Sequence, residues 1–137
     1  MTTRTRSERG AAAIEFALVL PLLLLIVAGI TDFGRAFYTQ IVMTNGAREG
    51  VRLVAMGFPE SDAQVRVNEA TGDRGTASYA SPPCPDTSGP DVVVKLRVTP
   101  TEPFTWIFLD DVMSLFPGAP LGAAPTLDAL GAMRCGG

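Results

Sequence analysis

ERGAAAIEFALVLPLLLLIVAGITDFGRAFY, residues 8–38, decides the architecture of this 137-residue chain. From Phe16 to Thr31 no residue is charged. With Ala11 to Ile14 included, the apolar stretch is about 20 residues long and broken only by Glu15; at about 1.5 Å per residue, a helix of that length matches a hydrocarbon core of roughly 30 Å. Each Leu, Ile, Phe or Val favours insertion at mid-membrane by about 0.3–0.6 kcal/mol. Together they outweigh Glu15, which stands near the end of the segment, where a charge costs less. The stretch predicts a transmembrane helix over residues 11–31, after a short polar leader over 1–10 (MTTRTRSERG). Arg4, Arg6 and Arg9 lie close before the span, so the positive-inside rule places the N-terminus in the cytoplasm and everything beyond about Asp32 outside.

The helical pattern continues past the apolar run. Large apolar residues recur at Ile30, Phe33, Phe37, Ile41, Val51 and Val54, with Thr44 and Ala47 between them, in steps of three or four. One helix from about Ala11 to about Met56 is expected, ended by Gly57 and Pro59. Its second part, 32–56, is amphipathic, and the face made by Phe37, Ile41, Thr44, Val51 and Val54 is expected to seat the rest of the chain. Pro21 removes the bond to the Ala17 carbonyl and should bend the helix there. Asp32 and Arg35, one turn apart just beyond the lipid, are expected to form a surface pair worth a few tenths of a kcal/mol.

Residues 57–137 read as a small extracytoplasmic α+β domain. Ser61 and Gln64 have the spacing of a capping box before a short helix from Asp62 to about Ala70. Gly75 to Ala80 suggests a short strand, and the loop ASPPCPDTSGP follows. DVVVKLRVT, Asp91 to Thr99, is the clearest strand in the chain, with Val92, Val94, Leu96 and Val98 on one face and Lys95, Arg97 and Thr99 on the other. Thr105 to Phe116 fits a short helix or turn. Thr126 to Cys135 fits a closing strand, with Leu127, Ala129 and Met133 on one face. The fold class expected is α+β, a long N-terminal helix carrying a small antiparallel sheet. A domain this small cannot rest on a large core of its own.

The composition excludes several chemistries. There is no histidine, so a Ser-His-Asp triad, a Cys-His dyad and His-ligated zinc are ruled out. A net charge of -3 gives no reason to expect nucleic acid. Asp110-Asp111 is the only tempting carboxylate pair, and adjacent residues rarely aim at one substrate, so a solvated turn is the simpler reading. No catalytic residue, metal, cofactor or small-molecule substrate is expected. Cys84 and Cys135 are too far apart for a CxxC motif. If both lie outside, an oxidising setting favours an intramolecular disulfide between them. Two free thiols, or a crosslink between subunits, are the alternatives.

The N-terminus admits three readings: a removed signal peptide, a plain uncleaved anchor, or a prepilin-type leader. Gly10 closes the polar leader, and Glu15 and Phe16 are the fifth and sixth residues after it. This resembles the class-3 signal of type IV prepilins. Within that class, residues 8–38, together with the stretch Met43-Thr44-Asn45-Gly46-Ala47-Arg48-Glu49-Gly50-Val51-Arg52, look like the TadE family of the tight-adherence (Flp/Tad) pilus system. The likeness is close from about Glu8 to Ala55 and looser beyond. It implies cleavage between Gly10 and Ala11 by a membrane prepilin peptidase. It implies that Glu15 neutralises the new N-terminal ammonium of a neighbouring subunit, and that Pro21 marks where the helix stretches on leaving the bilayer; the alternatives are a Glu15 that snorkels to the headgroups and a Pro21 that is a tolerated kink in an anchor. The resemblance further implies a single-pass protein of the bacterial inner membrane, acting as a minor pilin or pseudopilin with other pilin-like subunits and the pilus assembly platform. A membrane-anchored binding module or adhesin outside any filament is the alternative. The ectodomain favours a minor subunit, because major pilins of this system have little beyond the helix.

Overall fold

The computed structural model describes residues 5–84, 92–116, 118 and 121–135. Its elements are α1 (Thr5–Ala55), α2 (Glu60–Thr71), β1 (Gly75–Tyr79), β2 (Val93–Pro100), α3 (Phe108–Met113) and β3 (Ala129–Arg134). This is the expected α+β arrangement of a long helix and a small antiparallel sheet. The loop expected after Ala80 falls largely on 85–91, outside the described residues.

Helix α1 begins six residues earlier than its composition suggested. A single Gly10 costs a helix only about 1 kcal/mol relative to alanine, too little to interrupt so long an element. Its end is a Schellman turn: Gly57 takes a φ of 88°, its N–H donates to the Val54 carbonyl at 3.0 Å, and the Phe58 N–H donates to Leu53 at 3.1 Å. The helix runs through Pro21 without interruption.

Two compact units divide the chain, Met1–Gly34 with Trp106–Ala123, and Arg35–Thr105 with Ala124–Gly137. The second holds the sheet, in the order β1-β2-β3 with both pairs antiparallel. On β2, Val94, Leu96 and Val98 are fully buried, as the alternation predicted. They meet Ala63 and Val67 of α2, Ala129 of β3, and a stripe of α1 made by Met43, Ala47, Val51, Val54 and Ala55.

That stripe corrects the seat expected from the sequence. Val51 and Val54 belong to it, but Phe37 and Ile41 are 68% and 60% exposed and take no part. The deciding residues are the small ones. A Cβ at Gly50 would stand 2.6 Å from Leu96 Cδ2 and 2.7 Å from Val67 Cγ2, and one at Gly46 would stand 2.7 Å from Thr71 Cγ2. The sheet and α2 therefore approach the side of α1 that carries Gly46, Ala47 and Gly50, and the large side chains on another side are left uncovered. The stretch around Asn45 to Val51 thus has an intramolecular purpose: it lets the domain dock on its own helix.

The capping box is also corrected. Helix α2 starts two residues earlier than expected, with Pro59 at its N-cap and no side-chain cap bond. Pro59 presets the extended entry (φ -67°), so Ser61 falls inside the helix, where its hydroxyl bonds Asp62 at 3.3 Å. Gln64 is freed for another task. Its Nε2 donates to the Gly75 carbonyl at 3.1 Å, and its Oε1 accepts from the Ala77 N–H at 2.7 Å. Glu60 accepts from the Tyr79 N–H at 3.1 Å. Two helix side chains thus occupy the outer edge of β1.

Candidate functional site

Gly10, Ala11, Glu15 and Pro21 all lie on α1, the first three exposed. A Cβ added at Gly10 meets nothing within 4 Å, so packing within this chain does not require glycine there. Ala11 and Glu15 are four residues apart and share a helix face. Around them the helix is bare: Ile14, Phe16 and Leu18 are 65%, 63% and 76% exposed, and Val19, Leu22, Ile26 and Val27 are also exposed. A core helix of a soluble domain would bury such residues. Among the described residues, this helix is the one long and apolar enough to cross a membrane.

The upper end of the apolar run carries a feature the sequence did not disclose. Asp32, expected as a surface residue, is fully buried. Its Oδ2 accepts from the Ile107 N–H at 3.2 Å and from the Leu109 N–H at 2.8 Å. Those donors open the first turn of α3, where backbone N–H groups have no partner of their own and a carboxylate is favoured. Phe33 meets Trp106 edge-on, with centroids 5.5 Å apart. Leu109 is buried, and so is Ala28, one turn deeper than Asp32. The available signal was the aromatic run Phe104-Thr105-Trp106-Ile107-Phe108, which matches Phe33 in character, though nothing local linked it to Asp32. Asp110 and Asp111 are exposed, as expected, but on helix α3 rather than in a turn.

In the second unit, Cys84 and Cys135 are joined by a disulfide, with Cα atoms 5.7 Å apart. The free-thiol and intermolecular alternatives do not describe this structure. Cys135 is in the core and Cys84 packs against it. A groove of about 450 Å³ opens between the β2 end and the segment before β3, lined in part by Arg97, Phe104, Pro125, Leu127 and Asp128. Arg97 pairs with Asp128 at 2.6 Å. The Arg35 guanidinium lies 5.4 Å from the Phe104 ring centroid, and Gln40 donates to the Asp128 carbonyl at 2.9 Å. Sequence reading gave no hint of this groove.

Residues 10–52 match the family model described as TadE-like protein. No curated protein and no solved structure matches the chain at a significant level. The match begins at Gly10, takes in the whole bare apolar run, and ends within the small-residue seat for the sheet. The N-terminal helix of this chain is therefore similar to that of TadE-like proteins, as the sequence resemblance implied.

Proposed function

We propose that this chain is a structural, non-enzymatic subunit of a Tad-type pilus system, a minor pilin or pseudopilin that takes part in assembly or initiation from the bacterial inner membrane. The observation that carries the reading is the TadE-like match over a helix whose apolar side chains are uncovered. In this reading residues 11–31 span the bilayer, the leader faces the cytoplasm, and the disulfide-linked domain lies outside. Its partners are lipid, a prepilin peptidase that processes it, and pilin-like subunits with their assembly platform. The absence of any packing demand at Gly10 supports a glycine kept for an enzyme that must reach the backbone there.

Processing is the direct test. Intact-mass measurement of protein made with the cognate peptidase is expected to show a mature start at Ala11. Gly10→Phe is expected to abolish the cut while membrane insertion persists. A mature start near Ile30 would instead identify a removed signal peptide.

Glu15 tests assembly. After cleavage its carboxylate has two available ammonium partners, that of its own Ala11 one turn away and that of a neighbour. An exposed pair within one helix is worth only about 0.3–0.5 kcal/mol, whereas a charge set in lipid needs a partner far more. Glu15→Ala is expected to insert as well as the parent and to lose most of its co-purification with other pilin subunits. Unchanged co-purification would show that Glu15 has no role between subunits.

The groove beside Phe104 favours one second reading, an anchored binding module outside the filament. Unimpaired pilus formation in a deletion strain, with loss of attachment, would select it.

A further inference from the structure

The apolar run of α1 ends at Thr31, and the next residue is a buried aspartate that holds the start of α3 through two backbone N–H groups. That bond fixes where α3 stands along the helix. Its first turn is level with Asp32, within about 3 Å of axial rise from Ile30 and from Phe33. Burial extends inward to Ala28, inside the apolar run, within the unit formed by Met1–Gly34 and Trp106–Ala123. The segment beginning at Trp106 therefore stands at the depth where the hydrocarbon gives way to headgroups.

Its side chains suit that depth. Leu109, Val112 and Met113 turn inward, buried or half-buried. Ile107, Phe108, Leu115 and Phe116 are 45%, 48%, 63% and 39% exposed, and Phe33 and Ile30 of α1, at the same level, are 49% and 69% exposed. Large apolar patches of this kind are uncommon on surfaces that meet only water. Trp106, packed edge-on against Phe33 just past the apolar span, is the residue type that membrane–water interfaces favour. Asp110 and Asp111 are exposed on the same short helix and give the patch an acidic rim at headgroup level.

We propose that α3 and its flanking residues form a second, interfacial membrane contact, in which Phe108 and Leu115 enter the outer leaflet beside the span of α1. This rests on the anchor reading given above. The occupant is lipid because Asp32 and Phe33, at the end of the apolar run that lipid covers in that reading, hold the patch there. The contact fixes the rotation of the helix about its own axis, since only one orientation lets both the span and α3 meet lipid.

Trp106 is the single tryptophan of the chain, so a reporter is easily moved. The full chain carrying Trp106→Phe and Phe108→Trp is reconstituted at high lipid excess in phosphatidylcholine vesicles. Vesicle flotation reports the anchor, and fluorescence of residue 108 reports the contact. The expected result is a blue-shifted emission, largely lost with lipid brominated near the headgroup end of the acyl chain and insensitive to aqueous iodide. Floating vesicles whose reporter is quenched by iodide and not by bromolipid would overturn the contact and leave the anchor standing. A reporter shielded from both quenchers would overturn it in favour of a second copy covering the patch. A chain that fails to float removes the anchor reading and the contact together. Should the moved reporter disturb the fold, native Trp106 gives the same answer: its bromolipid quenching is expected to drop sharply in Phe108→Ser/Leu115→Ser, and no change would overturn the proposal.

Discussion

Replacing Cys84 and Cys135 together by alanine is expected to lower the stability of the disulfide-linked unit by about 4 kcal/mol, the chain-entropy value for a closed loop of this size. The bond joins residues 51 apart in sequence, so it removes much freedom from the unfolded chain. It also acts in the folded state. The Cys135 N–H donates to the Val92 carbonyl at 2.8 Å, extending the β2–β3 ladder by one rung, and the bond fastens that rung to the segment leaving β1. Alanine is the right replacement because Cys135 is only 4% exposed, and a serine hydroxyl there would add a burial cost of its own. With total stabilities of small domains at about 5–15 kcal/mol, the variant should be near its unfolding threshold. Pulse proteolysis of the full chain in detergent, across a urea series, measures the shift. A loss below about 1 kcal/mol would show that strand pairing holds the unit without the bridge, well under the usual range for a native disulfide.

Gly131→Ala is the second large effect. A Cβ at Gly131 would collide with the Ala47 carbonyl oxygen and stand 2.9 Å from both its carbonyl carbon and Val51 Cγ1. The obstacle is chiefly backbone of α1, which cannot rotate aside. Overpacking of this kind costs about 1–3 kcal/mol, occasionally more, and Gly131 belongs at the upper end, about 3 kcal/mol. Gly50→Ala meets only the ends of Leu96 and Val67, which can shift, so about 1 kcal/mol is expected there. The same urea series ranks the two. A larger loss at Gly50 than at Gly131 would mean that the helix backbone yields more readily than the side chains, contrary to the packing described.

Much of this was legible because the strongest signals are local and periodic. The alternation in β2 and the Gly57-Pro59 stop each act over a few residues, and each is found where the pattern placed it. The seat for the sheet was misread because side-chain size was weighed above side-chain absence. Phe37 and Ile41 announce an apolar face, but close approach of a sheet is decided by where Gly46, Ala47 and Gly50 leave room. The role of Asp32 was hidden for a different reason. Its partners, Ile107 and Leu109, contribute backbone N–H groups, and backbone groups leave no mark in a sequence. Gln64 was read as a local cap because its spacing from Ser61 is right, yet Pro59 had already fixed the helix start and left the amide to reach Gly75 and Ala77.

That reach has a consequence for crowding. Identical chains gathered side by side present identical strand edges to one another, and an edge with open N–H and C=O groups recruits the next copy into a growing sheet. On β1 those positions are taken at Gly75, Ala77 and Tyr79 by Gln64 and Glu60. A neighbour could add there only by displacing both side chains. Helix α2 thus serves as a guard against runaway polymerisation through β1, and such copies can be packed densely without fusing along that edge.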